Sequence, residues 1–188
     1  MPSRTAGLLE QLRIARVLMM TVVTGTTAFG FGASTGRIAL AAGAAGLLST
    51  GCFLLDHLFD SKRDTAGGRS ANPFAAGAIA PSTGRILIAV LLAGAGVPAL
   101  LLGWAPLACA ALIVLVVVGL GTGILDGPVA RAVSLGALQG LYALLGGLPA
   151  PPGATGFPFT ALFLLLAMTG GRVLGDVRDM EADARAGT

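Results

Sequence analysis

The sequence predicts an all-α protein, a polytopic bundle of about six transmembrane helices. Three observations carry this. The 188 residues are 55% hydrophobic, with a mean hydropathy of +0.86. Only 11% are charged, against roughly 25% in a soluble domain. Apolar runs long enough to cross a bilayer recur from end to end, divided by short polar or Pro/Gly-rich segments. Little is left over for a soluble domain, so residues 1–188 read as a single transmembrane domain.

Residues 1–13 form a polar lead. Arg4, Arg13 and Arg16 then precede an apolar run that ends near Gly32. No convincing small-residue cleavage site follows, and further spans do. The run is therefore read as a retained first span and not as a signal peptide. The second span runs from about Ile38 to Phe59. A polar segment rich in Gly, Ala, Arg and Pro follows, from Ser61 to Ser82. The third span covers about Arg85–Leu102 and the fourth Pro106–Leu125. Asp126-Gly127-Pro128 makes a tight turn. The fifth span covers about Val129–Leu148. Pro149 to Pro158 is an uncharged connection, and the sixth span covers about Phe159–Leu174.

Eleven of the twelve Lys and Arg residues fall on one side of this arrangement, and only Arg37 lies opposite. Positive residues concentrate on the cytoplasmic side, so the N-terminus, the 60–85 loop, the 126–131 turn and the C-terminus are assigned there. The net charge of +3 follows membrane topology and does not indicate nucleic-acid binding. Abundant Ala, Gly and Arg suggest a GC-rich bacterial genome, and hence a bacterial inner membrane. The Gly content suits closely approaching membrane helices. Cys52 and Cys109 sit in apolar runs and read as small buried hydrophobes, with neither disulfide nor metal spacing.

Seven of the nine acidic residues lie in two stretches. The first is Asp56-His57-Leu58-Phe59-Asp60-Ser61-Lys62-Arg63-Asp64. The second is Asp176-Val177-Arg178-Asp179-Met180-Glu181-Ala182-Asp183. On a helix, residues three and four apart share a face, so Asp56, Asp60 and Asp64 should point roughly the same way. Stacked like charges repel, and a shared cation accounts for them. The spacing i, i+3, i+7 of Asp176, Asp179 and Asp183 recurs at His57, Asp60 and Asp64. The pair of spans one and two ends in acids, as does the pair five and six, which reads as a weak internal repeat of two half-sites converging on one cavity. Ionisable groups at membrane depth are costly and usually mark a substrate or ion site.

Two carboxylate clusters on facing helices suit Mg²⁺, which prefers oxygen ligands and is often shared with substrate phosphates. A diphosphate carrying a lipid tail fits both the acids and the apolar bundle. The metal would stabilise diphosphate as a leaving group, with Lys62, Arg63, Arg69, Arg172 and Arg178 as candidate phosphate contacts. Plainer readings stand beside these. Lys62 and Arg63 also suit anchoring to lipid headgroups, and Arg172 suits an ion pair with Asp176. His57 suits either a nitrogen ligand or a neutral polar residue turned away from the metal. Asp126 and Arg131 suit a solvated turn. Gln139 and Tyr142, three apart on one face, suit helix packing as well as substrate contact.

These residues resemble the UbiA-type superfamily of intramembrane prenyltransferases. Its first signature, N-D-x-x-D-x-x-x-D followed by Pro and then Gly, is matched by Asp56-His57-x-x-Asp60-x-x-x-Asp64 and then Asn72-Pro73-Phe74-Ala75-Ala76-Gly77. Its second, roughly R-E-x-x-x-D-x-x-D-x-E-G-D-x-x-x-G, is matched by Arg172-Val173, then Asp176 to Asp183, and Gly187. The order of the signatures, one after span two and one after span six, also fits, and the resemblance covers nearly the whole chain. Departures are Asp56 for the family's Asn, His57 for its first Asp, and Asn72-Pro73 where Arg-Pro is common. One expected carboxylate thereby moves by one residue, about 100° around a helix. Family members usually carry further helices after the second signature, so the chain reads as a short or truncated member.

The resemblance implies a helical bundle with a central cavity, Mg²⁺ held by the two motifs, and a prenyl diphosphate donor whose prenyl group passes to a hydrophobic acceptor, aromatic or lipid-like. The metal set carried over is Asp56, His57, Asp60, Asp64, Asp176, Asp179 and Asp183, with Asp60, Asp64, Asp179 and Asp183 as its catalytic core. The diphosphate contacts are Lys62, Arg63, Arg69, Asn72, Arg172 and Arg178. Partner helices or a second copy would close any side left open to lipid. Some relatives cyclise the prenyl chain instead. Eight Phe, one Trp and one Tyr are few aromatics for stabilising a carbocation, which favours transfer. An inactive member that binds prenyl lipid or a partner is a further alternative. A divalent-cation transporter is disfavoured, because no polar path runs through the other spans.

Overall fold

A computed structural model describes residues 13–67, 71–125 and 127–186, with the side chains of 175–186 left aside. The described residues form six helices: α1 (Ile14–Gly30), α2 (Thr35–Ala66), α3 (Pro81–Leu102), α4 (Trp104–Gly121), α5 (Pro128–Gly147) and α6 (Phe157–Ala186). Five of them contain a stretch long and apolar enough to cross a membrane. The remaining one, α1, has 17 residues, at the short end of what spans a hydrocarbon core. The chain is an integral membrane protein, and the six expected spans are all present as helices.

The boundaries differ from the sequence reading where polar residues stay helical. Helix α2 does not end near Phe59. It continues through the whole first acidic stretch to Ala66, because no Gly or Pro interrupts it before Gly67, whose N–H closes the last turn on the Arg63 carbonyl at 3.0 Å. Its 32 residues amount to about 48 Å at 1.5 Å per residue, longer than a bilayer core, so its final turns reach the interface. Similarly, α3 starts at Pro81 and not near Arg85. Proline at the first helical position needs no N–H partner and has its φ already set for a helix. Helix α4 stops at Gly121, short of Leu125. The α3–α4 connection is a single residue, Gly103, at φ 131°, a conformation that favours glycine.

Helices α2 and α5 form the centre. Helix α2 packs on α1, α3, α4 and α5, while α5 packs on α1, α2, α4 and α6. The shared core is built from small and aliphatic side chains: Ala45, Leu48, Cys52, Ala95, Ala99, Cys109, Ala110, Ile113 and Leu145. Both cysteines are free and buried. Polar ties cross the bundle at backbone carbonyls. Thr24 Oγ1 donates to the Tyr142 carbonyl at 3.0 Å, and Cys109 Sγ to the Leu141 carbonyl at 3.3 Å. Arg37, the one cation on the far side in the sequence reading, donates to the Pro149 carbonyl at 2.8 Å and ties the start of α2 to the α5–α6 connection.

Missing side chains set the closest helix approaches. On α5, Gly136 faces Thr169 and Leu165, and Gly140 faces Ala161 and Leu165, all on α6. Gly146 meets the Thr24 carbonyl on α1. Among the described residues α6 leans on α5 and makes no comparable contact with another helix. A methyl group at Gly140 would lie 2.7 Å from the Ala161 carbonyl oxygen and 3.3 Å from Leu165 Cβ. Gly140→Leu should therefore push α6 outward and cost about 1–3 kcal/mol. A lowered thermal midpoint in detergent, with loss of a disulfide engineered between α5 and α6, checks this.

Candidate active site

One cavity of about 420 Å³ opens between α1, α2, α4, α5 and α6. This is within the size range of small-molecule sites. Its mouth is set by charged residues. Asp56 comes from α2, Arg172 from α6, Arg16 from the first turn of α1, and Arg13 from the residue that precedes α1. The walls are apolar, with Met19 and Met20 on α1, Ile113 and Val117 on α4, Leu135 and Leu138 on α5, and Met168 on α6. The floor is polar. Ser49 lies seven residues below Asp56 on α2, about 10 Å along the helix. It hydrogen-bonds with the Tyr142 hydroxyl and donates to the Ala45 carbonyl at 2.6 Å. Met19 and Met168, each 41% exposed, lie on the flanks of α1 and α6. The cavity is therefore open sideways between these two helices.

Arg13 has a left-handed backbone, φ 50°, which turns the chain into α1 and brings the side chain over α2. Its Nη1 donates to Asp56 Oδ2 at 3.2 Å, and its guanidinium carbon sits 5.7 Å from the centre of the Phe53 ring. Phe53 and Asp56 are three residues apart on α2, so one face of one turn supplies both the carboxylate and the aromatic ring. Half-buried charge pairs of this kind are retained more firmly than exposed ones.

The three acids of the first stretch do not share one environment. A helix rotates 100° per residue, so steps of four drift by about 40° each. Asp56 faces the cavity and Asp60 is half-buried one turn further on, whereas Asp64 is buried at 9% exposure. His57 is also buried, and neither it nor Asp64 lines the cavity. The Asp64 carboxylate and the His57 backbone carbonyl are instead tied to the 71–80 connection. Asn72, 2% exposed, donates from Nδ2 to the His57 carbonyl at 2.7 Å and to Asp64 Oδ2 at 2.9 Å. Its Oδ1 accepts from the Phe74 N–H at 3.0 Å and the Ala75 N–H at 3.4 Å. Asn72 thus joins the connection to the end of α2, with its amide fully engaged inside the protein.

Among the remaining sequence-derived residues, Lys62 and Arg63 are exposed on the last turns of α2. Arg69 lies outside the described residues. Asp176, Arg178, Asp179 and Asp183 follow Arg172 on the last turns of α6, with side chains outside the described residues. The structure therefore brings Asp56 and Arg172, one residue from each signature, around a single cavity. Sequence reasoning took Arg13 and Arg16 only as topology markers. Their position at the head of the first span was the available signal. Gln139 and Tyr142 both line the cavity, and Tyr142 is packed into the buried core as well.

No protein-family model and no curated protein matches the chain. A comparison with solved structures finds a digeranylgeranylglyceryl phosphate synthase, studied in membranes, at a TM-score of 0.81 over 98% of this chain. The fold is UbiA-like. Sequence identity is 20%, and the chain spans 66% of the length of that synthase. In this UbiA-like fold the two acidic stretches occupy the ends of α2 and α6.

Among the described residues, no three His, Cys, Asp or Glu side chains converge as a metal cage. What α2 offers at the cavity end is Asp56 and Asp60, carboxylates one turn apart. An oxygen-only set carried on one helix leaves room for waters and substrate phosphates, and by its chemistry fits Mg²⁺ better than a softer metal.

The Asn72 clamp yields the second prediction. Asn72→Ala removes one donor from the His57 carbonyl and one from the buried Asp64 carboxylate, and should cost about 2–4 kcal/mol. The readouts are a lower thermal midpoint and faster proteolysis of the 71–80 connection. Asn72→Asp should be worse, because it sets a second carboxylate against Asp64.

Proposed function

We propose that the chain is an intramembrane prenyltransferase of the UbiA type that moves a prenyl group from an isoprenyl diphosphate to a hydrophobic acceptor and releases diphosphate. One observation carries this reading. A single apolar cavity has Asp56 and Arg172, one residue from each acidic stretch, together with Arg13 and Arg16, at its mouth. That pattern suits a ligand with a strongly anionic head and an apolar tail. The UbiA-like fold supports it.

In this reading Arg13, Arg16 and Arg172 bind the diphosphate. A guanidinium presents five N–H donors, so Arg13 can hold Asp56 with one and still meet phosphate oxygens with others. Phe53 and Asp56 keep it oriented before substrate arrives, which lowers the entropy lost on binding. Mg²⁺, when bound through Asp56, Asp60, Asp176, Asp179 and Asp183, supplies charge neutralisation of the leaving diphosphate. His57 and Asp64 act one layer behind, through the Asn72 clamp. Lys62, Arg63, Arg69 and Arg178 add positive charge around the same helix ends. The apolar wall of Met20, Ile113, Val117 and Leu138 takes the prenyl chain and excludes water while the allylic carbon carries charge. The site faces the cytoplasm, in keeping with the positive residues around it, in a bacterial inner membrane. Transfer is favoured over cyclisation, since Phe53 and Tyr142 are the only aromatic side chains lining the cavity among the described residues.

The test uses the full chain in detergent with geranylgeranyl diphosphate, with and without Mg²⁺, following diphosphate release and product mass. Mg²⁺-dependent release is expected. Asp60→Ala and Asp179→Ala should each lower it about 100-fold or more, roughly 2.7 kcal/mol of barrier. Arg13→Gln should raise the donor KM with a smaller effect on kcat. Unchanged turnover in both Asp variants refutes the site. No release with any prenyl length or acceptor means that the chain binds prenyl lipid without turning it over.

A further inference from the structure

Arg13 is assigned above to the diphosphate and Asp56 to the metal, yet the two hold each other. Arg13 Nη1 donates to Asp56 Oδ2 at 3.2 Å, with the side chains 33% and 31% exposed. One N–H carries this bond, whereas arginine and carboxylate at their strongest meet through two. The guanidinium carbon also lies 5.7 Å from the centre of the Phe53 ring, a cation–π distance. The cation therefore keeps a support at the mouth when its one bond to Asp56 is given up. The backbone of Arg13 is fixed, since its carbonyl accepts from the Arg16 and Val17 N–H groups at 2.8 and 3.2 Å. What can move is the head of the side chain, by turning over the ring. Asp56 meanwhile stands above apolar walls, Met20 and Val117 among them, where an uncompensated carboxylate is costly.

We infer that Arg13 is the resting counter-ion of Asp56, and that it yields this carboxylate to a divalent cation only as the diphosphate draws its guanidinium away. The inference rests on the prenyltransferase reading. A carboxylate that already carries a guanidinium is a poor ligand for a second cation. Its charge is spent, and the newcomer meets a like charge one hydrogen bond away, in surroundings that screen it weakly. A diphosphate carries several negative charges against the one on Asp56, so it is the stronger attraction for the guanidinium. Arg13 then turns its N–H groups to phosphate oxygens, and Asp56 Oδ2 becomes an open oxygen ligand beside them. A carboxylate next to a phosphate is the setting in which Mg²⁺ is usually held. The exchange keeps the mouth compensated throughout, and no covalent bond changes in it. Arg13 thus sets the order of loading: donor first or together with the metal, and the metal alone only weakly.

The test is a double-mutant cycle on the full chain in a neutral detergent, with Mn²⁺ as the probe and no diphosphate present. Binding is read from the loss of the free-ion electron paramagnetic resonance signal, which does not depend on turnover. Arg13→Gln should bind Mn²⁺ about tenfold more tightly than the wild type, the value of one charged hydrogen bond. Arg13→Lys keeps a cation over Asp56 and should stay within about threefold of the wild type. Arg16→Gln removes the same charge from the same mouth but leaves the pair, and should gain no more than about threefold. In an Asp56→Asn background, Arg13→Gln should gain no more than that either. A second measurement leaves Arg13 in place. In EDTA, Asp56→Asn should bind geranylgeranyl diphosphate about fivefold more tightly than the wild type by thermal shift, because Arg13 no longer has a carboxylate to leave. The inference is overturned if Arg13→Gln binds Mn²⁺ no better than the wild type, or if Asp56→Asn binds the metal-free donor no better. It is equally overturned if Arg16→Gln gains as much as Arg13→Gln, or if the gain survives with Asp56→Asn, the pattern of a general charge effect. A wild-type chain that releases no diphosphate with Mg²⁺ refutes the prenyltransferase reading instead, and the Mn²⁺ cycle still decides on Arg13.

Discussion

Helices in a bilayer gain little by hiding apolar surface from one another, since lipid is as apolar as leucine. What holds them is close packing, and close packing needs positions without side chains. Helix α5 provides these on two of its faces. Gly136 and Gly140 admit α6, and Gly146 admits α1 through the Thr24 carbonyl. A third face, carrying Leu135, Leu138, Gln139 and Tyr142, is thereby turned into the space between α1 and α6. The cavity exists because one helix is thin where it meets its neighbours and broad where it meets the void between them.

Charge is arranged with similar economy. Asp56 and Arg13 neutralise each other at the mouth, and Phe53 supports the cation from the same turn of α2. Where the related pattern carries an arginine after the first acidic stretch, this chain has Asn72. A neutral amide suits that position, because it satisfies the His57 carbonyl, the Asp64 carboxylate and two backbone N–H groups at once. An arginine there would have no oxygen to offer Phe74 and Ala75. The Asp56 and Asn72 departures therefore read as parts of one arrangement, in which a cation delivered by α1 stands at the mouth and a neutral residue braces the loop.

Much of this was legible in the residues. Hydropathy revealed the six spans, since each is an unbroken apolar run, and clustering of acids in an apolar chain singled out the ends of α2 and α6. Helix ends were less legible. The last two turns of α2 are polar, and only the absence of Gly or Pro before Gly67 says that they remain helical. The divergence of Asp56 from Asp64 was hidden in the difference between a repeat of four and a period of 3.6, which is small for one step and decisive over two. Arg13 could not be assigned to the mouth, because nothing local distinguishes an arginine that marks topology from one that bends over a neighbouring helix. Gln139 and Tyr142 were visible as a pair on one helix face, but that this face borders a cavity depends on the neighbouring helices.

On the proposed prenyltransferase reading, the floor formed by Ser49 and Tyr142 limits how a tail can lie. A ligand anchored at Asp56 has about 10 Å of depth before it meets that hydroxyl pair, which is roughly two isoprene units at carbon–carbon bonds near 1.5 Å. A longer chain has to bend, and the side left open by Met19 and Met168 leads out between α1 and α6. Beyond the second unit the tail would be solvated by acyl chains and not by side chains. Tolerance for tail length would then belong to the bilayer's thickness and fluidity, and discrimination by the protein would end where the lipid begins.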